Sequence, residues 1–524
     1  MAEWWRGAVI YQVYPRSFQD TNGDGIGDLA GVTQRLDYIA SLGVDGIWLS
    51  PFFTSPMRDF GYDVSDYRGV DPIFGTLADF DRLLAEAHAR GLKVIIDQVW
   101  AHTSDQHPWF VESAASADSA KADWYVWADP KADGTPPNNW LAVFGGPSWT
   151  WRATRRQYYL HNFLTEQPQL NYWNGAVQDA ILDVARFWLD RGVDGFRLDV
   201  INLVFHDRDL RDNPPAERAR RPARATDMQH HVFDRNRSEA LAFVSRLRAL
   251  IDSYPEKMTV GEVVDDPPLP RQQEYTRPPH GLHTAYGFHF LQARRAAPGL
   301  FAEAFTAWAD VAGWPSWSLG NHDVPRFASR LAHGDPALAR TLMAALMGLR
   351  GTIFIYQGEE LGLPQAKVPF ERLKDPFDIA SWAGDAYRDG ARTPMPWRAG
   401  APMAGFTRAP DAWLPIDPAH APLAVDAQET DPASALAFTR ALIALRRASA
   451  ALRLGEARLL AAPKGVLAFE RRLADECVLC VFELAGRTAQ LPVAGETMLA
   501  WGAKLADGTL ALDPHGGAFV STPP

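Results

Sequence analysis

Gly195-Phe-Arg-Leu-Asp-Val200 reads as the end of a buried β-strand that finishes on charge. Arg197 and Asp199 are two residues apart and so face the same side of that strand. Two further apolar runs end in the same way: Val260-Gly-Glu262, and then Ser318-Leu-Gly-Asn-His-Asp323. One charged strand end is usually a loop starter or a salt-bridge partner. Three in order, separated by helical segments, point to an eight-stranded α/β barrel, whose strand C-termini open onto one functional face. Converging carboxylates there supply an acid, a nucleophile and a positioning group, the equipment of retaining glycoside hydrolysis.

Outward from this run the chain alternates strand and helix. Strands are predicted at Ala8–Tyr14, Gly46–Ser50, Lys93–Val99, Gly195–Val200, Met258–Val264, Tyr286–Phe290, Trp317–Asn321 and Thr352–Gln357. Helices are predicted at Val32–Leu42, Thr76–Arg90, Ala176–Arg191, Ser238–Tyr254 and Ala435–Arg447, from apolar spacing and from caps such as Thr76 and Gly91. Repeated alternation of this kind implies parallel strands joined by crossovers. The pattern breaks over 100–172, rich in Trp, Pro, Gly, Asn and Asp, which reads as a subdomain inserted after the third strand. The expected division is therefore barrel over 1–99, insertion over 100–172, barrel again over 173–451 with a long loop at 361–432, and a small antiparallel β domain over 452–524.

Composition allows this architecture and excludes others. The 524 residues suffice for a barrel and a smaller domain, and 47% hydrophobic residues support a large core. The net charge of −11 disfavours a nucleic-acid surface. No apolar run reaches membrane-spanning length, and no basic stretch followed by an apolar one opens the chain, so no membrane partner and a cytoplasmic location are expected. Cys477 and Cys480 have C-x-x-C spacing, but their run is strand-like and no second pair exists, so they read as core residues.

These motifs together resemble the α-amylase family, glycoside hydrolase family thirteen, and within it the α-glucosidase and oligo-1,6-glucosidase group. The resemblance rests on Ala8-Val-Ile-Tyr-Gln-Val-Tyr-Pro15, Asp97-Gln-Val-Trp-Ala-His102, Gly195-Phe-Arg-Leu-Asp199, Gly261-Glu262, Asn321-His-Asp323 and Ala391-Arg-Thr-Pro-Met395. It implies that Asp199 is the nucleophile, Glu262 the general acid/base and Asp323 the third acid, which grips sugar hydroxyls. It further implies that Arg197 keeps Asp199 ionised and that His102 and His322 bond the same glucose. Tyr62 would stack under that sugar, and Asp63 would pair with Arg392 to close the pocket at the non-reducing end. Phe144 and Phe163 would flank the acceptor. In the resembled group Val at the position of Val200 accompanies activity on α-1,6 links, whereas Thr or Ala accompanies α-1,4 preference.

Asp20, Asn22, Asp24 and Asp28 alternate with glycines, and with the Ile26 carbonyl they offer an all-oxygen donor set. That is the logic of a structural Ca²⁺ or Mg²⁺ loop, although not of an EF-hand, which needs a Glu at loop position twelve. Two departures from the family pattern stand out. Ala101 replaces the Asn that ligates calcium in many α-amylases, and Gln167-Pro-Gln-Leu-Asn171 replaces Gln-Pro-Asp-Leu-Asn. The expectation is a retaining, exo-acting α-glucosidase acting on short, small-molecule α-glucosides of the maltose or isomaltose type. The rival on the same site is an α-glucosyltransferase or a sucrose- or trehalose-type isomerase. A non-catalytic relative would have lost one of the three acids.

Overall fold

The computed structural model describes residues 3–217, 224–382 and 387–523. Eight parallel strands build the first sheet: β1 (Val9–Val13), β2 (Gly46–Leu49), β3 (Lys93–Gln98), β4 (Gly195–Leu198), β5 (Met258–Glu262), β6 (Thr284–Tyr286), β7 (Ser316–Trp317) and β8 (Thr352–Tyr356). Their order is β6-β5-β4-β3-β2-β1-β8-β7, and a single parallel bridge, Ala285 to Pro315, joins the two ends into a barrel.

Alternation along the strands sorts the side chains. Ile10, Trp48, Ile95, Val260, Tyr286 and Phe354 pack into one apolar cluster, while Val9, Ile47, Val94, Phe196 and Leu198 join the main core. Two residues beyond the apolar inner positions, the same strand faces turn polar: Gln12 follows Ile10, Asp97 follows Ile95, and Glu262 follows Val260. On β4 the inner positions are Gly195, Arg197 and Asp199. A Cβ at Gly195 would stand 2.4 Å from the Met258 carbonyl oxygen, so only glycine admits β5 this closely. The barrel therefore has an apolar floor and a charged mouth, which is what brings the strand-end acids together.

Helices cover the outside. Thr76 caps α1 (Leu77–Ala89) in a reciprocal capping box with Asp79, and Asn174 caps α2 (Gly175–Asp190). Next come α3 (Ala240–Asp252) and α4 (Pro336–Gly348). The helix expected at Val32–Leu42 is two short ones, Leu29–Gln34 and Leu36–Ser41, broken at Arg35, whose backbone is not helical. Strand six begins at Thr284 rather than Tyr286. The aromatic alternation of Tyr286, Phe288 and Phe290 imitates a strand, but Phe290 is buried against Phe301 and Trp317 from a turn. Strand seven pairs only over Ser316–Trp317, and Leu319–Asn321 run on unpaired to carry His322 to the mouth.

Between β3 and α2 the chain forms a three-stranded antiparallel sheet from Trp127–Ala128, Trp149–Arg152 and Gln157–Leu160. The segment 361–432 is not bare loop. It holds short helices, among them α5 (Asp389–Arg392). After α6 (Ala435–Ala448) the chain makes an antiparallel sheet of β9 (Glu456–Leu459), β10 (Val466–Leu473), β11 (Glu476–Glu483), β12 (Ala489–Pro492), β13 (Glu496–Ala506) and β14 (Thr509–Thr522). Cys477 and Cys480 are buried free thiols in β11. Arg446 joins this part to the barrel: its buried guanidinium donates to the carbonyls of Gly7, Met347, Leu349 and Gly351 at 2.6–3.1 Å.

Candidate active site

Arg197 is the hub of the barrel mouth. Register sets it beside Asp97 of β3 and Val260 of β5, and its side chain has no exposure. One terminal nitrogen donates to Asp97 at 2.8 Å and to Asp199 at 2.6 Å, and the other donates to Glu262 at 2.6 Å. The Tyr286 hydroxyl accepts from the same guanidinium at 2.8 and 3.0 Å. One cation thus serves three carboxylates, which cannot all be ionised at low cost in a buried site. Burial, with repulsion from Asp199 and Asp323, pushes the Glu262 carboxyl up to about 8 against the pull of Arg197. Burial and Asp199 push Asp97 up to about 7.

Glu262 is held by one oxygen. Its Oε2 accepts from Arg197 and, at 3.3 Å, from the backbone N–H of Val200, which leaves Oε1 to carry the proton. Val200 makes that contact from a left-handed conformation, φ 35° and ψ 44°. That is an outlier for a β-branched residue, and such strain is stored mainly at functional sites.

Asp323 is served differently. Its Oδ1 accepts from Arg388 at 2.6 and 3.0 Å and from Arg392 at 3.0 Å, and His322 stands 3.3 Å from Oδ2. Burial alone would raise this carboxyl, but His322, Arg388 and Arg392 hold it well below the usual carboxylate range. His322 is itself kept neutral, chiefly by burial. Its Nδ1 faces the Gln12 amide at 2.8 Å, and its Nε2 lies 2.5 Å from the Tyr62 hydroxyl. That hydroxyl donates to Asp97 at 3.1 Å, so a chain of bonds runs from Gln12 through His322 and Tyr62 to the Arg197 hub. His102 lies beside it. Its Nε2 meets the Tyr62 carbonyl at 2.9 Å, while its buried Nδ1 has no hydrogen-bond partner among the described residues. Phe163 stands 5.2 Å from His102, and Phe144 stands 5.7 Å from Phe163.

One expected pairing is absent. Asp63 does not meet Arg392: it accepts from the Ser55 hydroxyl and the Arg58 and Asp59 backbone N–H groups, and so shapes its own turn. The carboxylate of this turn that approaches an arginine is Asp59, 3.7 Å from Arg388, which also pairs with Asp375 at 3.2 Å. Burial raises its carboxyl to about 7 despite Arg388. Arg392 turns instead to the His322 carbonyl, Asp375 and Asp323. Asp59 and Arg388, the pair that does face each other, each lie four residues before the expected partners Asp63 and Arg392. Arg388 and Arg392 bracket α5 one turn apart and both reach Asp323, so the motif alone did not separate them. Asp97 was also missed. The signal was its register with Arg197, which becomes available only once β3 and β4 are paired.

The Asp20–Asp28 loop is closed by its own bonds. Asp20 accepts from the Gly23 and Gly25 N–H groups, and Asp28 accepts from Thr21 and from Gly31 as the cap of the following helix. Among the described residues no three Asp, Glu, His or Cys side chains gather as a metal centre would gather them.

Residues 12–455 match the α-amylase catalytic domain. The chain belongs to the α-amylase family. Among its family relatives is a probable α-glucosidase of Rhizobium meliloti, 54% identical over 94% of this chain and 91% of the relative. Another is an oligo-1,6-glucosidase of Heyndrickxia coagulans, 39% identical over 85% of each. The crystal structure of an α-glucosyl transfer enzyme, XgtA, superposes with a TM-score of 0.95 at 48% identity, covering all of both chains.

Proposed function

We propose that the protein is a retaining, exo-acting α-glucosidase that hydrolyses short α-glucosides through a covalent β-glucosyl ester on Asp199. The observation that carries this is the single Arg197 guanidinium bonded to both Asp199 and Glu262 at 2.6 Å. One guanidinium bonded to both carboxylates holds them close together, which is compatible with the ~5–5.5 Å spacing of retaining enzymes. In the first step Asp199 attacks the anomeric carbon while protonated Glu262 gives its proton to the departing oxygen. In the second step Glu262, now a carboxylate, takes a proton from water as that water displaces the ester. Asp323, fully ionised beside two arginines, grips the sugar hydroxyls.

Exo action rests on Asp59 and Arg388. Asp59 Oδ1 and Arg388 Nη1 are buried and 3.7 Å apart; among the described residues neither has a well-aligned hydrogen bond, although Nη1 is ion-paired with Asp375 at 3.2 Å. A hydroxyl of the non-reducing glucose set between them satisfies both and closes the pocket. The reading is tested by a panel of α-linked disaccharides and longer oligomers with products resolved by chromatography. Glucose as the first product from every cleaved substrate is expected, and internal cleavage of long oligomers overturns it.

We also propose that the Asp20–Asp28 loop takes a Ca²⁺ or Mg²⁺ that supports the fold and takes no part in the chemistry. Its donors are all oxygen, as hard cations require. Binding would draw the three carboxylates together at the expense of their bonds to the loop.

A further inference from the structure

A second hollow lies away from the barrel mouth. It has a volume of about 440 Å³, within the range of small-molecule sites. Trp127 and Gln157 border it from the three-stranded sheet of the insertion. Trp173 borders it from the turn before α2, and His206 and Arg208 border it from the loop after β4. Asp123 completes the border and is exposed. None of Asp199, Glu262, Asp323, Phe144 and Phe163 is among the residues that line it.

Some of its walls are held by bonds of their own. Trp173 Nε1 donates to the His206 carbonyl at 3.2 Å. The Arg155 guanidinium lies 4.1 Å over the Trp127 ring and donates to Gln157 at 2.7 and 3.0 Å. Three groups remain with bonding capacity to spare. His206 is 6% exposed, yet its Nδ1 has no hydrogen-bond partner among the described residues. Burial lowers its imidazole to about 4, so the ring is neutral at pH 7. The Arg208 guanidinium lies 4.9 Å over the Trp173 ring and makes no hydrogen bond or ion pair among the described residues. Asp123 accepts from the Asn174 amide at 3.0 Å through Oδ1, which leaves Oδ2 to spare.

A guanidinium only donates, an ionised carboxylate only accepts, and a neutral imidazole does one of each. One positive and one negative group on the same hollow favour neither an anion nor a cation. A neutral polyol uses all three groups: its hydroxyls donate to Asp123 and accept from Arg208, and its C–H surface lies against the indoles. We infer that this hollow is a second saccharide site, which holds a neutral pyranose of a short α-glucoside outside the catalytic pocket. The inference stands apart from the catalytic reading, since no bond is made or broken here.

The test is fluorine NMR of the full chain labelled with 5-fluorotryptophan, carrying Asp199→Asn so that maltose is not consumed during the titration. Trp173 reports on the hollow. Trp48 reports on the catalytic pocket, because its ring lies 6.1 Å from that of His322 and 5.0 Å from the Arg197 guanidinium. The Trp173 signal is expected to shift saturably with maltose, with a midpoint different from that of Trp48. Arg208→Ala and His206→Phe should each raise the Trp173 midpoint roughly five-fold, the scale of one lost hydrogen bond, and leave the Trp48 midpoint where it was. Arg208 is exposed, so Arg208→Ala gives a folded protein even if His206→Phe does not. A Trp173 signal that does not move, one whose midpoint equals that of Trp48, or a midpoint unmoved by Arg208→Ala overturns the inference. A Trp48 signal that stays still while Trp173 moves counts against the catalytic reading and supports the second site.

Discussion

Glu262 sets the alkaline limit of activity. It must start each cycle protonated, and burial raises its carboxyl to about 8. Activity should therefore hold through neutrality and fall as pH rises through about 8, about ten-fold per unit well above that point. A kcat/KM profile measures this, and an alkaline limb near the ordinary Glu value would remove Glu262 as the acid. Val200 beside it touches Glu262 through its backbone, so Val200→Thr keeps that contact and adds a hydroxyl at the mouth. One such hydroxyl is worth about 1 kcal/mol to an acceptor sugar, a several-fold change. The isomaltose-to-maltose ratio of kcat/KM should shift several-fold toward maltose in Val200→Thr. An unchanged ratio would confine Val200 to packing. The three acids were legible in the sequence because each follows a short apolar run. Asp97 was not, because a carboxylate inside a strand looks the same whether or not an arginine lies beside it in the next one.

Short elements decide which members of a motif reach the site. The turn holding Tyr62 carries two aspartates four residues apart, and α5 is bracketed by two arginines at the same spacing. Only three-dimensional placement shows that Asp59 and Arg388 face each other while Asp63 is spent on backbone N–H groups. Asp59→Asn should raise KM for maltose and cut kcat/KM at least ten-fold with little change in Tm, since it removes half of the grip on the non-reducing end. Asp63→Asn should instead lower Tm, because its side chain organises the turn. Steady-state kinetics and thermal unfolding of both variants separate the roles, and a catalytic loss confined to Asp63→Asn would reverse the assignment. Strand six was misplaced for a similar reason: aromatic alternation is shared by strands and by turns that bury alternate rings.

Over the whole molecule the barrel was readable because its physics is repetitive, with apolar strands, capped helices and charge placed at strand ends. The parts that resisted reading are the ones built by long-range packing. These are the short helices inside 361–432, the single-bridge closure at Ala285 and Pro315, and the Arg446 joint to the C-terminal sheet. The proposed metal acts at this scale. Chelation should lower Tm by several degrees while the activity of still-folded enzyme is retained, as expected when a ligand binds only the native state. Metal analysis showing neither Ca²⁺ nor Mg²⁺ in purified protein would count against it. The central claim, that Asp199 and Glu262 act as nucleophile and acid/base, is tested most directly by the anomeric form of the first product. Proton NMR of maltose hydrolysis, followed faster than mutarotation, should show glucose derived from the non-reducing unit appearing first as the α-anomer. Initial appearance as the β-anomer would mean inversion, and would contradict the covalent mechanism.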